Sequence, residues 1–225
     1  MKSKMSFVWP GSTSEMKKLC SFLLLMLFAA GLFAEVLPPG TPDGLYAIFT
    51  TEKGVFVAKL YEKYTPIAVA NFVGLAMGTR AWLDPVTHKP VKRPMYDNIT
   101  FHRVIRDEMI QSGDPTGTSQ HNCGFTIPDE FLIGLQFNKP GRLAVANSGQ
   151  PNTGACQWFV TVGPVDRWNN QYTIFGDVIS GMDIVQEINR AKVKGEKPVE
   201  PVKLISVRVT RVGPPPVIKK KPGHK

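Results

Sequence analysis

What constrains this chain most is the return of short β-prone runs, broken every few residues by glycine, proline or asparagine, along most of its length. The runs at 45–51 and 55–60 partly alternate and flank Glu52-Lys53-Gly54, a hairpin signal. Others lie at 99–105, 109–111, 142–147, 157–162, 172–178 and 202–212. Helical spacing is confined to two places. After Thr65-Pro66 the apolar residues Val69, Phe72, Val73 and Ala76 recur at three and four, with Thr65 suited to the cap, Pro66 to the first turn and Gly78 to the stop. A second helix is predicted over 182–190. Segment 79–98, with Asp84-Pro85, Lys89-Pro90 and Arg93-Pro94, reads as a surface loop, and 112–124 as a polar, glycine-bearing stretch. Many short strands with two helices predict a mainly β domain, a barrel or a sandwich.

The two ends read differently. Lys17 and Lys18 precede an almost unbroken apolar run over 19–33 that closes on Ala29, Ala30, Gly31 and Ala34. A positive start, a short apolar stretch and a small-residue exit make a secretory signal peptide, and the run is shorter than the ~20 residues of a spanning helix. Residues 1–34 are therefore left out of the fold, with Met16 an alternative start; the competing reading is an uncleaved membrane anchor. A proline-rich linker (35–43), a folded domain (44–212) and a basic disordered tail (213–225) follow. The expected product is exported, periplasmic or secreted, monomeric and without stable membrane insertion.

The 27 lysines and arginines exceed the 18 acids, but the excess is scattered and partly terminal, so no nucleic-acid partner is expected. His88, His102, His121 and His224 lack metal-ligand spacing, and no serine sits in a Gly-x-Ser-x-Gly elbow, so neither a metal, a cofactor nor a hydrolase is expected. Outside the signal segment only Cys123 and Cys156 remain, which permits one disulfide in an oxidising compartment or two unpaired small residues.

Two segments carry the chemistry. One is Phe101-His102-Arg103-Val104-Ile105 followed by Met109-Ile110-Gln111-Ser112-Gly113-Asp114-Pro115-Thr116-Gly117-Thr118. The other is Val145-Ala146-Asn147-Ser148-Gly149 with Asn152-Thr153-Gly154-Ala155-Cys156-Gln157-Trp158-Phe159. Both resemble the active-site segments of cyclophilins, and the collinear agreement runs over about 44–212. The resemblance implies a closed eight-stranded antiparallel barrel capped by two helices, with peptidyl-prolyl cis-trans isomerase activity on proline-containing extended or unfolded polypeptides. It implies Arg103 as the catalytic group and Met109 and Phe159 as walls of a proline socket, with Trp168 and Tyr172 at its rim. Gln111, Ala146 and Asn147 would bind the substrate chain, and Gln157 would orient the site; His102 is given a structural role. It also implies that Cys123 and Cys156 pair beside the pocket for the residue two before proline, closing a loop of about 33 residues worth ~3 kcal/mol by the chain-entropy model.

Four features depart from the family pattern. Glu108 stands where an apolar aromatic is common, and as a carboxylate close to Arg103 it is expected to weaken that group by pairing with it. Arg167 stands where tryptophan is common, with Trp168 one step later in place of an aliphatic residue. Tyr172 takes a position that is often histidine, and the loop over 79–95 is longer than in compact members. Glu108 keeps a second reading open, a proline-peptide binding module or chaperone with little catalysis.

Overall fold

The computed structural model describes residues 37–216; the expected signal segment at 1–34 and most of the expected tail lie outside the described residues. Residues 37–41 hold one turn, in which the Thr41 N–H and hydroxyl both donate to the Pro38 carbonyl.

From Pro42 onward the elements follow in the order β1 (Gly44–Thr51), β2 (Gly54–Leu60), α1 (Pro66–Ala76), β3 (Trp82–Leu83), β4 (Pro90–Val91), β5 (Ile99–Thr100), β6 (Arg103–Ile105) and β7 (Met109–Ser112). After these come β8 (Arg142–Val145), β9 (Trp158–Thr161), a 3-10 turn at Asp166–Trp168, β10 (Ile174–Ser180), α2 (Met182–Asn189), β11 (Val193–Lys194), β12 (Lys197–Pro198) and β13 (Lys203–Val212). The described residues are mainly β with two helices. Nine strands form one curled sheet in the order β5-β13-β1-β2-β10-β8-β9-β7-β6, and all its pairings are antiparallel.

The expectation of a closed eight-stranded barrel is corrected here. The run 99–105 is not one strand: Thr100 pairs with Lys203 on β13, whereas Arg103 pairs with Gln111 on β7. The Phe101 N–H still follows the β13 register, donating to the Val202 carbonyl at 3.0 Å, and the chain passes over to β7 only after it. The Phe101 ring turns inward to meet Trp158 edge-on. The break makes β5 and β6 the two ends of the sheet, with no ladder between them.

Alternation along the strands divides the apolar side chains into two groups, because successive residues point to opposite faces of a sheet. Ile110, Leu143, Val145, Trp158, Val160 and Phe175 join the interior core, where Trp158 lies within 6.1 Å of the Phe49, Phe72, Tyr96 and Phe101 rings. Their immediate neighbours Met109, Ala144, Phe159 and Ile174 pack instead into a second cluster with Phe137 and Val165 on the other face. A one-residue slip on any of these strands would exchange the two clusters.

Helix α1 starts at Pro66 as expected, but Thr65 does not cap it. The free N–H groups of Ile67 and Ala68 donate to the Glu130 carboxylate at 3.1 and 2.9 Å, a distant acid stabilised at the positive end of the helix. Within the long loop, β3 and β4 form a small hairpin that local composition hid, because proline starts one of its two-residue strands. Asp84 organises it by accepting from Val86 N–H, Thr87 N–H, the Thr87 hydroxyl and the Arg93 guanidinium. The Thr87 amide first, and then Arg93, push the Asp84 carboxyl down to about 2 from 3.8. A depressed folded-state value contributes stability that is full above 3.8 and drains as pH falls toward 2. The urea midpoint of Asp84→Asn should therefore lie below wild type at pH 6 and converge on it near pH 2; a gap independent of pH would refute the assignment.

Candidate active site

Of the side chains singled out in the sequence, Arg103 on β6, Met109 and Gln111 on β7 and Phe159 on β9 share the sheet face opposite the Trp158 core, while Ala146 and Gln157 adjoin the ends of β8 and β9. Strand register sets Arg103 opposite Gln111, Gln111 opposite Phe159, and Phe159 opposite Ala144. Arg103 Nη1–H donates to Gln111 Oε1 at 3.0 Å, Gln111 Nε2–H to Gln157 Oε1 at 2.8 Å, and Gln157 Nε2–H to the Ser119 carbonyl at 3.2 Å. Each amide is thereby oriented by the next, and the guanidinium stands at the end of the relay. Its other side is held by Glu196, whose carboxylate accepts the Arg103 Nε–H at 2.6 Å.

These residues flank a groove of about 660 Å³. Arg103, Gln111, Gln157, Ala146 and Asn147 line it together with the 117–122 loop, Ser148, Thr153, Glu196 and Lys197. Asn147 is held in place from outside, its amide donating to the Gln171 carbonyl at 2.8 Å. Ala146 N–H donates to the Gln157 carbonyl at 2.9 Å, which ties the end of β8 to the start of β9.

Beside the groove sits an aromatic cup. Phe159 stacks on Phe137 at 5.8 Å and meets Trp168 and Tyr172 edge-on at 5.3 and 5.2 Å. Met109 completes the cluster, and Ala146, packed against it, belongs to both cup and groove. Met109 and Phe159 are only 1% and 4% exposed, while Trp168 and Tyr172 stand half-buried over them.

The expected Glu108–Arg103 pairing is corrected. Glu108 lies in the tight turn between β6 and β7, beyond the Ile105–Met109 pair, and its carboxylate binds Arg167. The Arg167 guanidinium in turn lies over the Trp168 ring, 5.2 Å from its centroid. The two substituted positions thus compensate each other at the rim of the cup and leave Arg103 alone.

His102 is buried, and among the described residues neither ring nitrogen has a hydrogen-bond partner. Burial lowers its basicity, with the Asp114 charge opposing. Cys123 and Cys156 are joined as a disulfide with Cα atoms 6.3 Å apart, fastening the loop that lines one wall of the groove to the residue before Gln157. Sequence reasoning did not find Glu196 or the Ser119 carbonyl. Lys194-Gly195-Glu196-Lys197 carries a weak hairpin signal, but nothing local says which strand such a hairpin will meet.

Hydrogen-bond donors held in a fixed relay line a groove beside a cluster of aromatic side chains. Comparison with known proteins gives this arrangement its family. The model of the family "Cyclophilin type peptidyl-prolyl cis-trans isomerase/CLD" matches residues 46–209. Peptidyl-prolyl cis-trans isomerase A of Mycobacterium tuberculosis is 40% identical over 167 residues, covering 73% of this chain and 91% of that protein. Peptidyl-prolyl cis-trans isomerase B of Streptomyces anulatus is 38% identical over 171 residues, covering 74% and 97%. Among solved structures, a cyclophilin-type isomerase of Cryptosporidium parvum, crystallised in the presence of the dipeptide Ala-Pro, superposes with a TM-score of 0.64. It shares 26% identity over 74% of this chain and 99% of its own. The chain belongs to the cyclophilin family of peptidyl-prolyl cis-trans isomerases, and its reaction is rotation about Xaa-Pro peptide bonds.

Proposed function

We propose that this isomerase assists the folding of exported polypeptides, laying an extended proline-containing segment along the groove with the proline ring in the aromatic cup. Amide rotation is slow because nitrogen donates its lone pair into the carbonyl, a barrier of ~18–20 kcal/mol that holds Xaa-Pro exchange to tens to hundreds of seconds. When the bond twists, the lone pair localises on nitrogen, and a donor aimed there binds the twisted state better than the planar one. Arg103 supplies that donor, permanently charged and planar. Met109 and Phe159 form the cup with Trp168 and Tyr172 as its rim; Gln111, Ala146 and Asn147 hold the peptide, and Gln157 orients Gln111. The cup's aromatic walls favour a ring, and the groove's amides favour extended backbone.

The observation that carries this reading is the guanidinium fixed by Glu196 and Gln111 at the groove's edge, beside the cup. Export is supported by the apolar run after Lys17 and Lys18 and by the paired cysteines, which suit an oxidising compartment. The natural partners are then unfolded chains emerging there, met by a monomer in the periplasm or medium.

Catalytic amounts of the chain should shorten the proline-limited slow phase in the refolding of a test protein and leave its fast phase unchanged. An unaltered slow phase would remove the folding role. Fractionation of producing cells should recover a chain lacking its apolar run outside the cytoplasm; retention in the cytosol with the run intact would remove the export half.

A further inference from the structure

We propose that Glu196 is a positioning residue for Arg103, an assignment that rests on the reading of Arg103 as the polarising group. Arginine loses much rotamer freedom when its head group is fixed, and a half-exposed guanidinium on a strand would otherwise spread over several orientations. Two N–H groups of Arg103 are committed, Nε–H to Glu196 at 2.6 Å and one on Nη1 to Gln111 at 3.0 Å. Held from both ends of its fork, the plane is set, and the remaining N–H groups, without a partner among the described residues, can face a substrate amide.

Glu196 is delivered by backbone, not by chance contact. It sits in the two-residue loop of the β11–β12 hairpin, where Lys194 pairs with Lys197 and Gly195 takes a φ of +64°. Glycine at the first loop position is what such a tight turn favours. The hairpin docks on the outer edge of β6, the last strand of the sheet: Val104 N–H donates to the Glu196 carbonyl at 2.8 Å. One residue thus satisfies the strand edge with its carbonyl and the neighbouring arginine with its carboxylate. Arg106 pins the start of the same segment by donating to the Arg190 and Ala191 carbonyls, both at 3.2 Å.

The test compares kcat and KM on an Xaa-Pro peptide for wild type, E196A, E196Q, R103A and the E196A/R103A double variant, together with the NMR signal of the Arg103 Nε–H. E196A should lose about two- to fivefold in kcat/KM, the scale of an exposed pair, carried by kcat. Its Arg103 Nε–H signal should broaden. E196Q, which still accepts that hydrogen bond, should recover most of the loss, and E196A should cost nothing further in the R103A background. An E196A enzyme as fast as wild type or faster, or one losing the same factor without Arg103, overturns the assignment while leaving Arg103's role standing. R103A at the wild-type rate removes both.

Discussion

Arg103→Ala should lower kcat/KM for Xaa-Pro isomerisation by about a hundred- to a thousandfold, the usual loss when one transition-state donor is deleted. The loss should fall on kcat, with KM close to wild type, since the donor binds the twisted bond and the cup and groove bind the planar substrate. Stability should hardly change, because the Arg103 side chain is 38% exposed and its ion pair with Glu196 is a surface one. Lysine should not substitute: a single point charge cannot span Glu196 and Gln111 and still present a plane of donors. Single-turnover exchange on a tetrapeptide, with urea unfolding of the same samples, checks all three statements. An alanine variant retaining a tenth or more of the wild-type rate would mean that the cup, not the guanidinium, lowers the barrier.

How much of this was readable beforehand depends on how locally each feature is encoded. The strands β1 and β2, the helices and the parity that sends Met109, Gln111 and Phe159 to one face follow from alternation and turn residues, which act within a few positions. What failed was non-local. The run 99–105 switches partner from β13 to β7 after Phe101, whose ring packs edge-on against Trp158, 57 residues away, and no residue in 99–105 signals the switch. The cap of α1 comes from Glu130, 62 residues from Ala68. At the site, the carboxylate nearest in sequence to Arg103 was Glu108, yet the hairpin turn points it to Arg167, and the acid that meets Arg103 lies 93 residues on. Charges close in sequence on neighbouring strands meet only if register places them opposite each other, and register is known only once the sheet is assembled.

The same dependence on assembly makes Asp177→Ala strongly destabilising, by about 3–5 kcal/mol. Asp177 on β10 pairs by register with Arg142 on β8, and both its oxygens accept from Arg142 Nη1 at 3.0 Å while Lys139 Nζ approaches to 2.6 Å. Arg142 is 7% exposed, and its Nε and Nη2 donate to the Gln136 carbonyl and Asn138 Oδ1. Removing the acid leaves a buried cation without its counter-charge, which is far worse than removing both partners. A double variant, Arg142→Met with Asp177→Leu, should thus be more stable than Asp177→Ala alone, and urea unfolding of the two would show it. If the single variant lost under 1 kcal/mol, the pair would be behaving as a solvated one. Activity should follow stability here by a definite route. Ala144 pairs with Ile174 on these same two strands and with Phe159 on β9, so slackening β8 against β10 loosens the sheet beneath the cup. The single variant should therefore lose isomerase activity at temperatures well below its unfolding midpoint, while the double variant keeps it.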